Sequence, residues 1–593
     1  MNMIRPIPAL LAWSLFTFMV VSGAETTPDP AAMPAGTTLS FDARQAGAVG
    51  DGHTDDTDSL NRLLATAIKA DKPATIRIPK GTYRLSATLR LDRAHDLTLC
   101  GEPGALLVMN NVDMEMMNLN QCRNIAIDGL TFDRDPLSFT QGTIIAVDPA
   151  AMTCSVRIDA GYQDPDAPRF DKAGLHPFVF PESGTYQLDR YTSEVANRTR
   201  VSGQEWRFAL KGHAPTPAWA GKRFFFGSYG RGHCFVGRGL TDCTFTNIAY
   251  WGGGGNAGVY LSGLFGTVAF RHFTIGVPPH SDRLVSCAGG GQISNLRGHL
   301  VFDRCDFTKI DDDGLDLLGT WVRIVQQTAP RTLVLQNDRH FVAGDHVAIW
   351  DWKTKASREQ AIVVTSKDNA DHSHTIVLDR DVTTQRTGAG DGQPFGYAAR
   401  DDGIDRVVNL DSMGLDTAIT DCRFQVFRAK CLNVKAANLT ISGCTFFDSW
   451  QPAISAAPEW YFQEGPPIRN LVIRNNVFIN CNHTNIEIGA SINTGYDRLK
   501  DVRSPSRDTA HILIEGNRFT AFGAHASVFP YWGVGTAIRV QHAQDVTIRG
   551  NTIGESAFGG PAAKRVIVEE SDEVIIEGNS GWPDSVIPPA ARP

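Results

Sequence analysis

An irregular repeat limits the folds open to this chain more than any other feature. Its copies are NIAIDGLTF (124–132), LTDCTFTNI (240–248), LVFDRCDFTKI (300–310), AITDCRFQVF (418–427), LTISGCTFFDS (439–449), LVIRNNVFINC (471–481), ILIEGNRFTAF (512–522), VTIRGNTIGES (546–556) and VIIEGNSGW (574–582). Each is a β-branched strand, a Gly, Asn or Asp turn, then Cys or Asn, usually followed by Phe. Cys422 and Cys444 are 22 residues apart, one coil of a parallel β-helix, and the later steps to Asn476, Asn517, Asn551 and Asn579 are 32, 41, 34 and 28. A constant turn with variable loops explains that spread, because insertions in repeat folds collect at loops. Asn tolerates left-handed backbone and stacks in ladders. An antiparallel sandwich should instead show tight hairpin dipeptides between strands, and these are scarce. The expected class is all-β: a right-handed parallel β-helix, the hand that parallel crossovers take, with an N-terminal capping helix and two inserted antiparallel β subdomains.

The chain divides accordingly. Residues 1–24 read as a signal peptide, with Arg5, an apolar centre over Ala9–Val21 and the small residues Ser22-Gly23-Ala24 at its end. Residues 38–140 hold the cap and the first coils. Within them Asp55, Asp56 or Thr57 begins a helix whose apolar face carries Leu60, Leu63, Leu64 and Ile68. Residues 141–235 break the repeat with strand-like pieces, an inserted β subdomain. Residues 236–320 return to coils and carry an Asp-rich site. Residues 321–408, with WVRIV, RTLVLQ, HVAIWDW, AIVVTS and HTIVLD, read as a small antiparallel barrel, and 409–582 as the C-terminal coils.

A net charge of −8 over 593 residues leaves no basic footprint for nucleic acid. No segment after the signal has the apolar length to span a membrane, so the expected location is secreted or periplasmic. Eleven cysteines, several at one place in the repeat and none in a CxxC pair, point to core packing rather than bridges or zinc.

Chemistry concentrates in HLVFDRCDFTKIDDDGLDLLGT, residues 299–320. Asp311, Asp312 and Asp313 are consecutive, and Asp316 follows three residues on. Clustered carboxylates push each other's pKa values apart, which suits general acid/base work. The run fails the EF-hand spacing, since Leu315 stands where a ligand is needed. Neither a metal nor a cofactor is expected. Arg428 and Lys430 lie on the coil next in space after the barrel, where strand alternation puts both on one face for binding sugar hydroxyls or an anionic substituent. Trp460, Tyr461 and Phe462, beside Glu464, offer flat apolar faces to a sugar ring. Trp350 and Trp352 are candidates for a wall of the site.

With these pieces in view the chain resembles glycoside hydrolase family 110, exo-acting α-1,3-galactosidases built on a pectate-lyase-like parallel β-helix. The resemblance rests on NIAIDGLTFDRDPLSFTQGTIIAVD (124–148), PPHSDRLVSCAGG (278–290), RGHLVFDRCDFTKIDDDGLDLLGTWVRI (297–324), FRAKCLNV (427–434) and SAAPEWYFQEGPPIRNLVIRNNVF (455–478). It implies a carbohydrate substrate and places a catalytic Asp pair on Asp312 and Asp313. A further Asp, one coil earlier, corresponds here to Gly289. Asp316 and Leu318 replace the Asn and His that follow the pair. The polygalacturonase-type hydrolases are a more distant likeness, their Arg-x-Lys echoed by Arg428-Ala429-Lys430.

An inverting glycosidase needs two carboxyl groups about 6.5–9.5 Å apart, one as acid and one as base. The candidates for the second acid, in order, are Asp316, Glu464, Asp311 and Glu487. The site expected is thus Asp312, Asp313 and Asp316 for catalysis, with Asp311, Arg428, Lys430, Trp460 and Glu464 against the substrate. Two other readings stand beside it. One is a polysaccharide lyase with Arg428 or Lys430 as base and Ca²⁺ on Asp311–Asp313. The other is a non-catalytic glycan-binding β-helix.

Overall fold

The structure is a computed structural model, and it describes residues 38–171, 176–180, 193–212, 214–227, 232–253, 257–336, 341–388, 403–459, 465–481, 484–489, 507–520, 536–554 and 566–581. Among these, parallel strands stack coil upon coil into one 22-stranded and one 12-stranded sheet. The larger sheet supplies two faces of the helix and the smaller one the third. The strands Phe235–Thr246 and Val259–Arg271 bend through both faces of the larger sheet. Phe235–Thr246 pairs first with Met117–Asn120 and then with Arg123–Asp128. The class read from the repeats, all-β with a parallel β-helix and added antiparallel sheets, is the one observed.

The repeated Cys, Asn and Phe positions build the core. Phe307, Phe424, Phe446, Phe478 and Phe519 stack face to face, with centroids 5.1, 5.1, 4.8 and 4.8 Å apart. That is the spacing of neighbouring strands, so the sheet sets the stack. In the later coils the turn position is an Asn ladder. Asn476 Nδ2 donates to Asn517 Oδ1 at 3.0 Å, Asn517 to Asn551 at 3.0 Å, and Asn551 to Asn579 at 2.9 Å. Each amide also satisfies the backbone N–H of the residue one coil back. In the earlier coils Cys305, Cys422 and Cys444 take the same place, and all eleven cysteines are free thiols.

The helix Thr57–Lys69 buries Leu60, Leu63, Leu64 and Ala67 against the first coils. Asp56 is its N-cap residue, yet its carboxylate does not cap the helix. It instead accepts from the N–H groups of Val49 and Gly50 at 2.5 and 3.0 Å, tying down the preceding turn.

Two antiparallel sheets interrupt the stack. The first orders His176–Phe180, Arg223–Gly227, Phe139–Asp148, Thr153–Ile158, Glu205–Gly212 and Ser193–Ser202 side by side. Its Phe139, Phe178, Phe180 and Phe225 pack on Leu284, Val285 and Trp450 of the β-helix. The second closes into a barrel of Trp321–Ala329, Thr332–Leu335, His374–Leu378, Ala356–Asp368, His346–Asp351 and Arg406–Asn409. No described helix is long and apolar enough to cross a membrane. Residues 1–24, read as a signal peptide, lie outside the described residues.

Candidate active site

The Asp run occupies the turn between the strands Asp306–Ile310 and Leu315–Leu318. Its shape comes from crowding by the next coil. A Cβ on Gly314 would stand 2.2 Å from the Cys431 carbonyl oxygen, and one on Gly319 would stand 2.7 Å from Pro466. Glycine is needed at both positions to admit a neighbour rather than for a left-handed turn.

The three consecutive carboxyl groups meet three environments. Asp311 is buried to 2% exposure. Arg428 covers it, with Nε donating to the Asp311 carbonyl and lying 3.3 Å from Oδ1. This corrects the expectation that Asp311 touches substrate: it anchors the guanidinium from below. Asp312 is exposed and meets Arg428 Nη2 at 3.0 Å. Asp313 is partly buried and held by the following coil: Oδ1 accepts from the Lys430 backbone N–H at 2.9 Å, and Oδ2 from Asn433 Nδ2 at 3.1 Å. The Lys430 ammonium stands 3.5 Å from Oδ2.

Asp316 lies on the strand Leu315–Leu318, between the core residues Leu315 and Leu317, and so faces outward. Its register partner one coil on is Asn433. Asp313 and Asp316 therefore flank the same amide, and both bear electrostatically on Lys430. The structure brings Asp311, Asp312, Asp313, Asp316, Arg428 and Lys430 together from two coils about 117 residues apart in sequence.

Two further residues join them that the sequence reading did not single out. Glu459, 4% exposed, accepts from Lys430 Nζ on one oxygen and from Lys435 Nζ on the other at 2.9 Å. Burial opposes its ionisation, but Lys430 and Lys435 outweigh burial and hold its pKa far below the ordinary carboxylate value. Burial likewise works against the Lys430 ammonium, and Asp313 with Glu459 more than offsets it, so Lys430 stays protonated well above its ordinary value. One signal could have found this pair. Lys435 sits in CLNVKAA, and a lysine in an otherwise apolar strand needs a buried anion.

Glu487 keeps its proton to higher pH, chiefly through burial, and Ser455 Oγ donates to it at 3.1 Å. It shares a row with Asp316 through Asn433 and Ser455. Three rungs, roughly 14 Å, separate it from Asp316, and Lys430 and Glu459 both bear electrostatically on it. Of the acids proposed from sequence, Asp311 is set aside, buried under Arg428. Trp460 and Glu464 lie outside the described residues.

Trp350 and Trp352 are not a wall. They are buried, edge-on to Trp321 at 4.9 and 5.4 Å, with Lys355 and Arg406 over the Trp352 ring at 3.8 and 4.5 Å. They form the root of the barrel, where Trp321 Nε1 donates to the Gly465 carbonyl at 2.9 Å.

Comparison with known proteins agrees with the resemblance read from the motifs. Residues 40–129 match the family model described as rhamnogalacturonase A/epimerase, pectate lyase-like. The chain is 24% identical over 501 residues to alpha-1,3-galactosidase A of Akkermansia muciniphila, covering 81% of this chain and 77% of that one. It is 26% identical over 247 residues to alpha-1,3-galactosidase A of Shewanella woodyi, covering 38% of each. A family 28 exopolygalacturonase of Yersinia enterocolitica overlays 91% of this chain and 78% of its own at 12% identity and a TM-score of 0.39, too distant to transfer any detail of a site. Over four-fifths of its length, then, this chain is similar to an α-1,3-galactosidase, and its N-terminal coils are similar to the pectate-lyase-like class.

Proposed function

We propose that the protein is an exported glycoside hydrolase that cleaves α-galactosidic bonds, such as the α-1,3 linkage, in a galactose-containing glycan, with inversion. Export is read from the segment 1–24. The observation that carries the reading is the Asp313 carboxylate, gripped by Lys430 and Asn433 of the next coil with outward-facing Asp316 beside it.

In this reading Asp313 is the base. Three donors aim its oxygens and prevent the side chain from swinging, as activation of a water molecule requires. Asp316 delivers the proton to the leaving oxygen. Arg428, steadied from below by Asp311, presents its guanidinium with Asp312 at the rim, where the pair binds sugar hydroxyls or an acidic substituent such as a sulfate. Glu459 fixes Lys430 and so positions Asp313 without touching substrate.

A lyase needs a base that gives up its proton near neutral pH. Lys430 is held protonated between Asp313 and Glu459, and Arg428 never deprotonates in that range, so no observation favours that chemistry.

The test is a proton NMR time course with galactose-α-1,3-linked oligosaccharides. Initial release of β-galactose supports the reading, and initial release of α-galactose refutes inversion. No galactose from any α-galactoside would sink the activity itself. Asp313→Asn and Asp316→Asn, each purified and folded, should each abolish release.

A further inference from the structure

The row of outward-facing residues that carries Asp316 continues towards the N-terminus through Gln292 to Tyr260. Parallel pairing puts register partners on the same side of a sheet. The flanking residues Val259, Leu261, Ile293, Leu315 and Leu317 are core, so Tyr260, Gln292 and Asp316 all face out. Exposure along the row is asymmetric. Asn433 and Ser455, on the C-terminal side of Asp316, are fully buried. Gln292 and Asp316 are partly open, and Tyr260 is 39% exposed, among the few large apolar side chains at the surface. Along this row, the open surface next to Asp316 lies on its N-terminal side.

Tyr260 is also fixed. The His233 ring lies 5.2 Å from it, tilted by 36°, and His233 is itself tied to the Ala257 carbonyl at 3.2 Å. Two rungs separate Tyr260 from Asp316, roughly 10 Å, which is the reach of a sugar ring beyond the cleaved bond. Gln292 between them supplies an amide that can donate to or accept from hydroxyl groups.

Resting on the proposed hydrolase reading, we propose that Tyr260, backed by His233 and flanked by Gln292, is a sugar-stacking subsite for the part of the same glycan that lies beyond the scissile bond. The phenol face takes the apolar face of a pyranose, and Gln292 takes the hydroxyl groups of the ring between it and Asp316. The subsite makes the enzyme prefer galactose attached to an oligosaccharide over galactose attached to a small leaving group.

The experiment compares wild type, Tyr260→Ala and Tyr260→Phe on a galactose-α-1,3-terminated tetrasaccharide and on α-galactosyl fluoride, whose leaving group is a single atom. In Tyr260→Ala the ratio of kcat/KM for the tetrasaccharide to that for the fluoride falls about five- to tenfold, through KM, and Tyr260→Phe restores most of it. An unchanged ratio in Tyr260→Ala overturns the subsite, as does an equal loss on both substrates. If the wild type turns over neither substrate, the hydrolase reading fails by itself. Saturation-transfer NMR with the tetrasaccharide then tests the subsite separately: contact that Tyr260→Ala removes supports it, and contact that persists, or none at all in the wild type, refutes it.

Discussion

The Lys430 backbone N–H donates to Asp313 Oδ1 at 2.9 Å while the ammonium of the same residue stands 3.5 Å from Oδ2. One residue of the following coil thus grips both oxygens of a carboxylate 117 positions earlier. Because Glu459, itself held by Lys435, pairs with that ammonium in turn, the orientation of Asp313 depends on a chain of buried charges rather than on its own turn.

Asp313→Asn keeps the shape of the side chain and removes the base. The expected result is a loss of kcat of about 10²- to 10⁴-fold on an α-1,3-galactosyl oligosaccharide, with KM little changed. Asn433→Ala removes one of the three donors to Asp313, and its smaller loss, about tenfold, should also fall on kcat. Steady-state kinetics of both variants check this.

Glu459→Gln leaves the Lys430 and Lys435 ammonium groups, both buried, without their shared counter-charge. Removing one member of a buried, hydrogen-bonded ion cluster costs about 3–5 kcal/mol. Urea unfolding should show a lower midpoint with an unchanged slope. The double variant Glu459→Gln/Lys435→Met should recover part of the loss.

The same cluster fixes a pH window. The pKa of Glu459 is lower in the folded protein than its ordinary 4.5, so the stability it contributes is present above 4.5 and is lost as pH falls through its depressed value. The pKa of Lys430 is higher than its ordinary 10.5, so its contribution is present below 10.5 and is lost as pH rises through its raised value. Urea midpoints should therefore drop more steeply between about pH 5 and about pH 3 in the wild type than in Glu459→Gln. Equal slopes would show that Glu459 does not supply the acid-side loss.

Asn517→Ala breaks the ladder in the middle. It strips the acceptor from the buried Asn476 backbone N–H at 2.9 Å and from its side-chain amide at 3.0 Å. Each buried donor left unmade costs about 1–3 kcal/mol. A fall in stability of roughly 2–5 kcal/mol is expected, with the far-UV signature of β-structure retained, as circular dichroism through a urea titration would show.

The β-helix was legible because its signals are local and periodic. Phe446 and Asn476 stack on their equivalents one coil away, so each copy of the repeat needs the same residue type at the same place. The acidic run was legible as a run, but Arg428 and Lys430, expected to share a face by strand alternation, lie instead in the turn between Arg423–Phe427 and Leu432–Lys435, directly over the turn that holds the aspartates. Glu459 was not legible. It has no fixed place in the repeat, and only the approach of Lys430 and Lys435 on a different coil makes it a buried ion. Trp350 and Trp352 misled for a related reason: an aromatic-rich strand reads alike whether its rings face a groove or a barrel root.

Sequence alone therefore determined the stacked-coil architecture with its added antiparallel sheets and the stretch of aspartates within it, since each is written in residues a few positions apart. Only tertiary structure decided what each aspartate does. Asp311, Asp312 and Asp313 are chemically identical neighbours, and they become an anchor, a rim group and a gripped carboxylate because Arg428, Lys430 and Asn433 arrive from the next coil with different reach. Local sequence sets which way a side chain leaves its strand, but the partner it meets there depends on coil packing, where burial and opposite charge outweigh local preference.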